Sequence, residues 1–374
     1  MSQSRPNNKD LLWIWLRAGG RCQYPGCNVP LWRDELTMAK MNRAYLAHIV
    51  AEKPGGPRGD PILSQNLAKD PSNFMLLCDT HHRLIDKEDV EGHPADLLHD
   101  FRREHEKRIA RLTALQPEKK THVLLFASPV GYRKGYVSFE QAANAVQPDR
   151  YPATDSGMRL DLCEHEVNEY DADFYVHAKK YVARRLKSCL AIFEEPPDHL
   201  SVFALAPIPA LIYLGKLLGD IRTADVFQRH RCSQSWRWRG ASDSPADLEF
   251  LVERPPTTDS KCVAVILSLS NKIDPESYRA VIPGPHAEYQ ITINHPRRDF
   301  LATREQLERF RTVWHTLLSE LRAHGRDASI HIFPAVPNSV AVEMGRLLLP
   351  KTDTPLKIYD EDREKGGFTF ALEV

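Results

Sequence analysis

No apolar run in the sequence approaches the roughly 18 residues that a membrane-spanning helix needs, which excludes one. The opening Met-Ser-Gln-Ser-Arg-Pro is polar and has no apolar core, so no secretory leader is expected. Cysteines are few and odd in number, seven scattered over 374 residues, which argues against a disulfide framework and for a reducing, cytoplasmic setting. Net charge is absent too: 50 Lys and Arg balance 50 Asp and Glu, so any nucleic-acid binding must come from local patches. Neither Gly-x-Gly-x-x-Gly nor a Walker lysine loop occurs where a strand runs into a helix, which leaves dinucleotide-coenzyme and NTPase readings poorly supported. What remains is ordinary globular material, 42% hydrophobic and 27% charged, long enough for two or three domains.

The most informative stretch runs from Cys22 to Asp86. Cys22-Gln-Tyr-Pro-Gly-Cys27 presents two thiols around a tight turn, and Cys78-Asp-Thr-His81 has the spacing of the other half of a structural zinc site. Cys22, Cys27, Cys78 and His81 are therefore the predicted Zn2+ ligands. His82 is left over, directed away from that site and free for a second metal.

In chain order, residues 10–18 read as a short amphipathic helix ended by Gly19-Gly20. Residues 35–46 are helix-compatible, and 45–50 read as a strand carrying His48. A Pro/Gly-rich loop spans 53–60, Asn73 to Leu77 leads into the second knuckle, and a helix opens at 81–86. A charged helix over 94–115 and a linker over 116–120 complete a first domain, residues 1–120.

Strand with His48, loop, Asn73, knuckle, helix with His82: this order resembles the HNH nucleases over roughly residues 12–90. The resemblance implies a ββα-metal fold with His48, Asn73 and His82 as the catalytic set. The chemistry is consistent. A neutral histidine, His48, can deprotonate water near neutral pH, and a divalent cation such as Mg2+, held by His82, can screen charge on a phosphodiester. Asn73 matches the family residue that orients the base or assists at the metal. One departure is Ala47, where many relatives place an acidic metal ligand. Arg58, in Gly-Pro-Arg-Gly, is a candidate contact to DNA phosphate.

Beyond residue 120 the pattern changes to buried strands alternating with helices: strands at 121–127, 201–206, 224–230, 247–253, 262–269, 329–333, 355–359 and 368–373. Helices are expected at 138–146, 172–194, from Pro209 to Leu218, at 303–323, and from Pro337 to about 349. Val202-Phe-Ala-Leu-Ala-Pro-Ile-Pro209 before a helix with Gly215-Lys216 repeats as Ile330-His-Ile-Phe-Pro-Ala-Val-Pro337 before a helix with Gly345-Arg346. Two such strand–turn–helix units imply two Rossmann-like halves on parallel sheets, an α/β fold with ligands at the carboxyl ends of strands.

Residues 121–374 resemble the SAVED domain, a fused pair of CARF-like sensor folds, in Phe203-Ala-Leu-Ala-Pro-Ile-Pro209, Gly215-Lys216, Trp236-Arg-Trp-Arg239 and His331-Ile-Phe-Pro-Ala-Val-Pro337. Beside an HNH module, this is similar to the HNH–SAVED effectors of bacterial cyclic-oligonucleotide antiphage signalling (CBASS). The resemblance implies a bacterial cytoplasmic nuclease, silent alone. A cyclic di- or trinucleotide would drive it into a homo-oligomer, a dimer or tetramer, that degrades double-stranded DNA with little sequence preference.

Such a ligand offers phosphates to helix N-termini and cations, and base faces to aromatics. Pro207 and Ile208, with Asn338 and Ser339, open the two repeat helices. Trp236 and Trp238 share one face, as stacking or core residues, with Arg237 and Arg239 on the other. Arg229, Lys351 and Tyr359 are further candidates by position, as is Arg231. Residues 1–120 carry 19 Lys and Arg against 16 Asp and Glu, and the remainder 31 against 34. The acidic second part speaks against a modification-dependent restriction nuclease that reads DNA with its C-terminal domain. A non-catalytic zinc-binding nucleotide sensor is the other alternative.

Overall fold

The computed structural model describes residues 5–165, 168–240, 248–256, 260–282, 284–362 and 366–374. It divides into two compact units, Met1–Gln116 and Pro117–Val374.

The first unit begins with α1 (Asn8–Arg17), capped by Asn7, whose side chain accepts from Asp10 N at 3.0 Å. Gly19 and Gly20, at φ +61° and +63°, turn the chain out of it. Two short strands, β1 (Tyr45–His48) and β2 (Phe74–Leu77), pair antiparallel with His48 opposite Phe74 and Ala47 opposite Met75. Between them lies α2 (Leu63–Leu67), and after them α3 (Asp79–Arg83), extended by a π turn over Leu84–Glu88. The long α4 (Ala95–Thr113) follows. Ile14, Leu31, Ala47, Phe74, Met75, Leu76, Ile85 and Leu98 form its core. Tyr45 and Leu46 belong to β1, while residues 35–37 are a turn and 38–44 form no helix. Asp34 explains this: its side chain accepts from the backbone N–H of Leu36 and Thr37 at 3.2 and 2.9 Å, an Asx turn that outcompetes helical pairing.

The second unit opens with β3 (Lys120–Ala127), α5 (Phe139–Val146), β4 (Tyr151–Pro152), β5 (Met158–Asp161) and α6 (Phe174–Leu190). Then come β6 (Leu200–Leu205), α7 (Ile208–Leu218) and β7 (Ala224–Phe227). These strands form one parallel sheet, ordered β4-β3-β6-β7 with β5 also on β3. A second run adds β8 (Phe250–Glu253), β9 (Cys262–Ser268), α8 (Pro275–Arg279), β10 (Ala287–Ile293), α9 (Arg304–Leu321), β11 (Ser329–Ala335), α10 (Asn338–Arg346), β12 (Leu356–Glu361) and β13 (Phe368–Glu373). Its sheet runs β13-β12-β11-β9-β10-β8, parallel in the middle and antiparallel at both edges. Strand β10, with its alternating Ala287-Glu-Tyr-Gln-Ile-Thr-Ile293 buried on every second residue, was not expected from the sequence. Residue 247, part of an expected strand, lies outside the described residues.

One continuous apolar cluster joins both sheets to α6, α7, α9 and α10. At its centre α7 and α10 touch backbone to backbone. A Cβ on Gly215 would lie 2.0 Å from Val342 O, and one on Gly345 would lie 1.9 Å from Ile212 O. The contacts are reciprocal: Gly215 faces Val342 O and Arg346 N, and Gly345 faces Ile212 O and Lys216 N. The repeated Gly-Lys and Gly-Arg pairs are thus the crossing point of a pseudo-twofold pair of helices, where only glycine permits the approach.

Candidate functional site

The two knuckles of the first unit converge. Cys22, Cys27, Cys78 and His81 place their ligand atoms within 4.8 Å of one another, the sole such cluster among the described residues. Cys27 Sγ and Cys78 Sγ are 4.0 Å apart, and His81 Nδ1 lies 3.1 Å from Cys78 Sγ and 3.7 Å from Cys22 Sγ. A tetrahedral zinc with Zn–S near 2.3 Å requires S···S edges of about 3.8 Å, so this donor set fits zinc. Burial pushes the thiols of Cys22 and Cys27 up and the His81 imidazole down. The bare cluster therefore resists forming thiolates, and a dication among the sulfurs reverses that balance. Tyr24 stacks on His81 at 4.1 Å, and its hydroxyl is 3.1 Å from His93 Nε2, which fixes the ligand ring from behind. Gln23 ties the first knuckle to β2 by exchanging bonds with Leu76: Gln23 N donates to Leu76 O, and Leu76 N donates to Gln23 Oε1.

Neighbouring residues on a helix point about 100° apart, so His82 leaves the cluster on its own side. It lines a second cavity of about 190 Å3 with Leu46, His48, Ala51, Glu52, Pro57, Arg58 and Asp86. His82 Nε2 is 3.2 Å from Asp86 Oδ2, four residues on, and Tyr45 stacks against the His82 ring at 4.6 Å. His48 Nε2 lies 3.3 Å from Ala68 O, so the proton sits on Nε2 and the lone pair on Nδ1. Phe74 packs at 4.3 Å against the same ring.

Asn73 and Arg58 are both held inside the fold. Asn73 is wholly buried and does not line this cavity. Its Oδ1 accepts from Val50 N at 2.8 Å, and its Nδ2 donates to Val50 O at 2.8 Å and Leu67 O at 3.2 Å. It is a positioning residue: it pins the exit of the His48 strand to the segment whose next carbonyl, Ala68 O, orients the His48 ring. Arg58 is no free phosphate contact either. At φ +56°, with 6% of its side chain exposed, it donates to Ile49 O at 2.7 Å and Ile85 O at 2.6 Å and pairs with Asp86 Oδ1 at 2.5 Å. Every arm of its guanidinium is spent on locking loop, strand and helix together.

Ala47 is 1% exposed and faces the core, where a carboxylate would have no partner. The carboxylates that line the cavity are Asp86 and Glu52. The signal for Asp86 is present in the sequence, because His82 and Asp86 at i and i+4 share a helix face.

In the second unit the expected ligand residues scatter. Pro207 and Ile208 open α7 at the carboxyl end of β6, with no side-chain cap. At α10, Asn338 Nδ2 donates to Ala204 O at 3.1 Å. Both the N–H and the hydroxyl of Ser339 donate to Gln228 Oε1, at 3.1 and 2.9 Å, so that helix start is already capped from the other half. Trp236, 1% exposed and edge-on to Phe203 at 5.4 Å, is core rather than a stacking platform. Trp238 is half-buried beside His230 at 5.8 Å. Arg229 bonds Gln141 and Gln234, its guanidinium over Trp236. Tyr359 is also core: its hydroxyl is 2.8 Å from His331 Nδ1 and its ring stacks on Phe333. Lys351 sits in the turn entering β12, at the opposite end from the helix starts. What does reach solvent at the carboxyl end of β7 is a basic loop with exposed Arg231, Arg237 and Arg239. Burial holds two deep histidines of this unit, His199 and His331, down to about 4. No helix among the described residues is long and apolar enough to cross a membrane.

Residues 182–374 match the family described as the SMODS-associated and fused to various effectors sensor domain, SAVED. Among solved structures, the chain is similar to the Acinetobacter baumannii Cap4 SAVED/CARF-domain containing receptor with the cyclic trinucleotide 3'3'3'-cAAA, at 11% identity and a TM-score of 0.46, covering 84% of this chain and 71% of that one. The same receptor with 2'3'3'-cAAA gives 12%, 0.43 and the same coverage. The Moraxella osloensis Cap4 SAVED/CARF-domain containing receptor gives 10% and 0.41, over 84% and 70%. No curated protein matches.

Proposed function

Because this chain belongs to the SAVED family of effector-fused sensor domains, we propose that it is a cyclic-oligonucleotide-activated DNA nuclease of antiphage defence. The observation that carries the effector half is the shared cavity: His48 with its ring oriented by Ala68 O on one side, and the His82–Asp86 pair on the other.

In this reading His48 Nδ1 takes the proton of the attacking water, which adds to phosphorus as the leaving oxygen departs. His82 Nε2 and Asp86 Oδ2 are the residues to hold a divalent cation such as Mg2+, which supplies charge neutralisation at the phosphate. Two protein ligands suffice for magnesium, which commonly keeps several waters and borrows substrate phosphate. Arg58 occupies the other Asp86 oxygen and so aims Oδ2 at His82. The zinc cluster anchors the start of α3 and thereby the pitch of His82.

The second unit supplies control. The solved Acinetobacter baumannii Cap4 receptors hold a cyclic trinucleotide; a cyclic di- or trinucleotide is the ligand of this reading, and the exposed arginines of the 229–239 loop suit its phosphates. The first 120 residues carry a net of only +3, from 19 cations against 16 anions, so one copy grips DNA weakly. Assembly into a dimer or tetramer would multiply these contacts by effective concentration.

The test is plasmid cleavage in Mg2+, alone and with a panel of cyclic di- and trinucleotides, with gel filtration alongside. Cleavage triggered by one panel member, accompanied by a larger species and abolished by His48→Ala, supports the reading. Cleavage equal with and without every ligand removes the sensor's role, and cleavage that survives His48→Ala removes the base.

A further inference from the structure

A larger cavity, about 490 Å3, lies on the far side of Tyr45. Its walls include Met41, Asn42, Arg43, Tyr45, Asp79 and Thr80, and its floor is the outer side of the zinc cluster. Tyr45 is shared: it bounds this cavity while its ring stacks on His82 of the catalytic one. The size falls within the range of roughly 300–1,000 Å3 typical of sites for small organic groups.

The lining is mixed in a way that suits a nucleotide. Met41, half exposed at 49%, and Tyr45, at 42%, offer apolar faces to a sugar or base. Asn42 and Thr80 offer polar edges. Arg43 is 43% exposed, and its Nη1 lies 3.5 Å from Asp34 Oδ2. Leu36 N, Thr37 N and the Thr37 hydroxyl hold the other oxygen, Asp34 Oδ1; an exposed ion pair as long as that of Arg43 contributes little, so the guanidinium can exchange it for a phosphate. Two carboxylates, Glu35 and Asp79, also line the cavity, the latter beside the Tyr45 hydroxyl, so Arg43 is the lining cation that a phosphate would meet.

The geometry points to this cavity as the seat of the nucleotide next to the scissile one, with Tyr45 and Met41 against its sugar and base and Arg43 on the following phosphate. The inference rests on the nuclease reading and adds a consequence: the substrate is a polynucleotide gripped on the zinc side of the cut, and short fragments that leave this cavity empty are poor substrates.

The measurement is binding, separated from cleavage by a His48→Ala background in the full-length chain. A fluorescent duplex of about 25 base pairs is titrated at several salt concentrations, with Mg2+ and the activating cyclic nucleotide present. Adding Arg43→Ala is expected to lower the slope of log K against log salt by about 1, the signature of one lost phosphate contact, while Arg43→Lys restores it. Zinc content per chain serves as the control for folding. An unchanged slope in Arg43→Ala, even with weaker binding, overturns the assignment and leaves the nuclease reading standing. A His48→Ala chain that binds no duplex under any condition overturns both.

Discussion

Replacing Asn73 by alanine separates a positioning role from a catalytic one. The substitution deletes one acceptor and one amide from a site with no solvent access. Val50 N, Val50 O and Leu67 O each lose a partner. A buried group left unsatisfied costs about 1–3 kcal/mol; Leu67 O keeps its bond from Asp70 N, so Val50 N and Val50 O together cost about 2–6 kcal/mol against a typical domain stability of about 5–15 kcal/mol. With an m-value of about 1–3 kcal/mol/M, the urea midpoint falls by roughly 1–3 M. Zinc release to a chromogenic chelator reports on the first unit alone and is the right probe. Cleavage should fall as well, because the Leu67–Ala68 segment that orients His48 loses its tether. Loss of cleavage with an unchanged midpoint would refute the reasoning, for it would place Asn73 at the chemistry.

Further outcomes follow from the same contacts. Cys78→Ser should abolish zinc binding, measured as metal per chain, and unfold the first unit while the second keeps its own thermal transition. Arg58→Ala should destabilise the first unit by about 3 kcal/mol through the unpaired Asp86 and freed carbonyls, and Arg58→Lys should not rescue it, because lysine cannot span Ile49 O, Ile85 O and Asp86 at once; an unaltered urea midpoint contradicts this. Gly215→Ala should prevent folding of the second unit or separate α7 from α10, since its Cβ meets backbone at 2.0 Å rather than a movable side chain; a native circular dichroism melt would disprove the crossing. His331, held down to about 4, stays neutral in the fold while the unfolded chain protonates near 6.5. The unfolded state therefore binds more protons between those values, and stability rises with pH across that window by up to about 3 kcal/mol. In urea titrations at pH 5 and 7.5, His331→Gln should narrow the gap between the two midpoints; an equal gap speaks against a buried neutral imidazole.

Much of the site was legible because its chemistry depends on local spacing. Cys22 with Cys27, and Cys78 with His81, are close along the chain, and each pair meets one centre whatever the rest of the fold does. His82 follows from the helix angle alone. The repeated strand–turn–helix with glycine was visible too, and its meaning as a contact between helices follows once Gly215 and Gly345 face each other's backbone.

Other residues take their roles from partners distant in sequence. Arg58 reads as a solvated loop residue until the carbonyls of Ile49 and Ile85 and the carboxylate of Asp86 are gathered around it. Trp236 and Tyr359 look like ligand platforms in sequence, yet Phe203, Phe333 and His331 claim their faces. Ser339 opens a helix, but Gln228 has already capped it. The sequence by itself determined the pairing that gathers Cys22, Cys27, Cys78 and His81, the placing of His48 and His82 and the two repeated βα units, because periodicity and short spacing act within a few residues. Only the tertiary structure decided which carboxylates line the cavity beside His48, which arginines stay exposed and which aromatics are core, because burial and hydrogen-bond satisfaction depend on the neighbours that folding brings together.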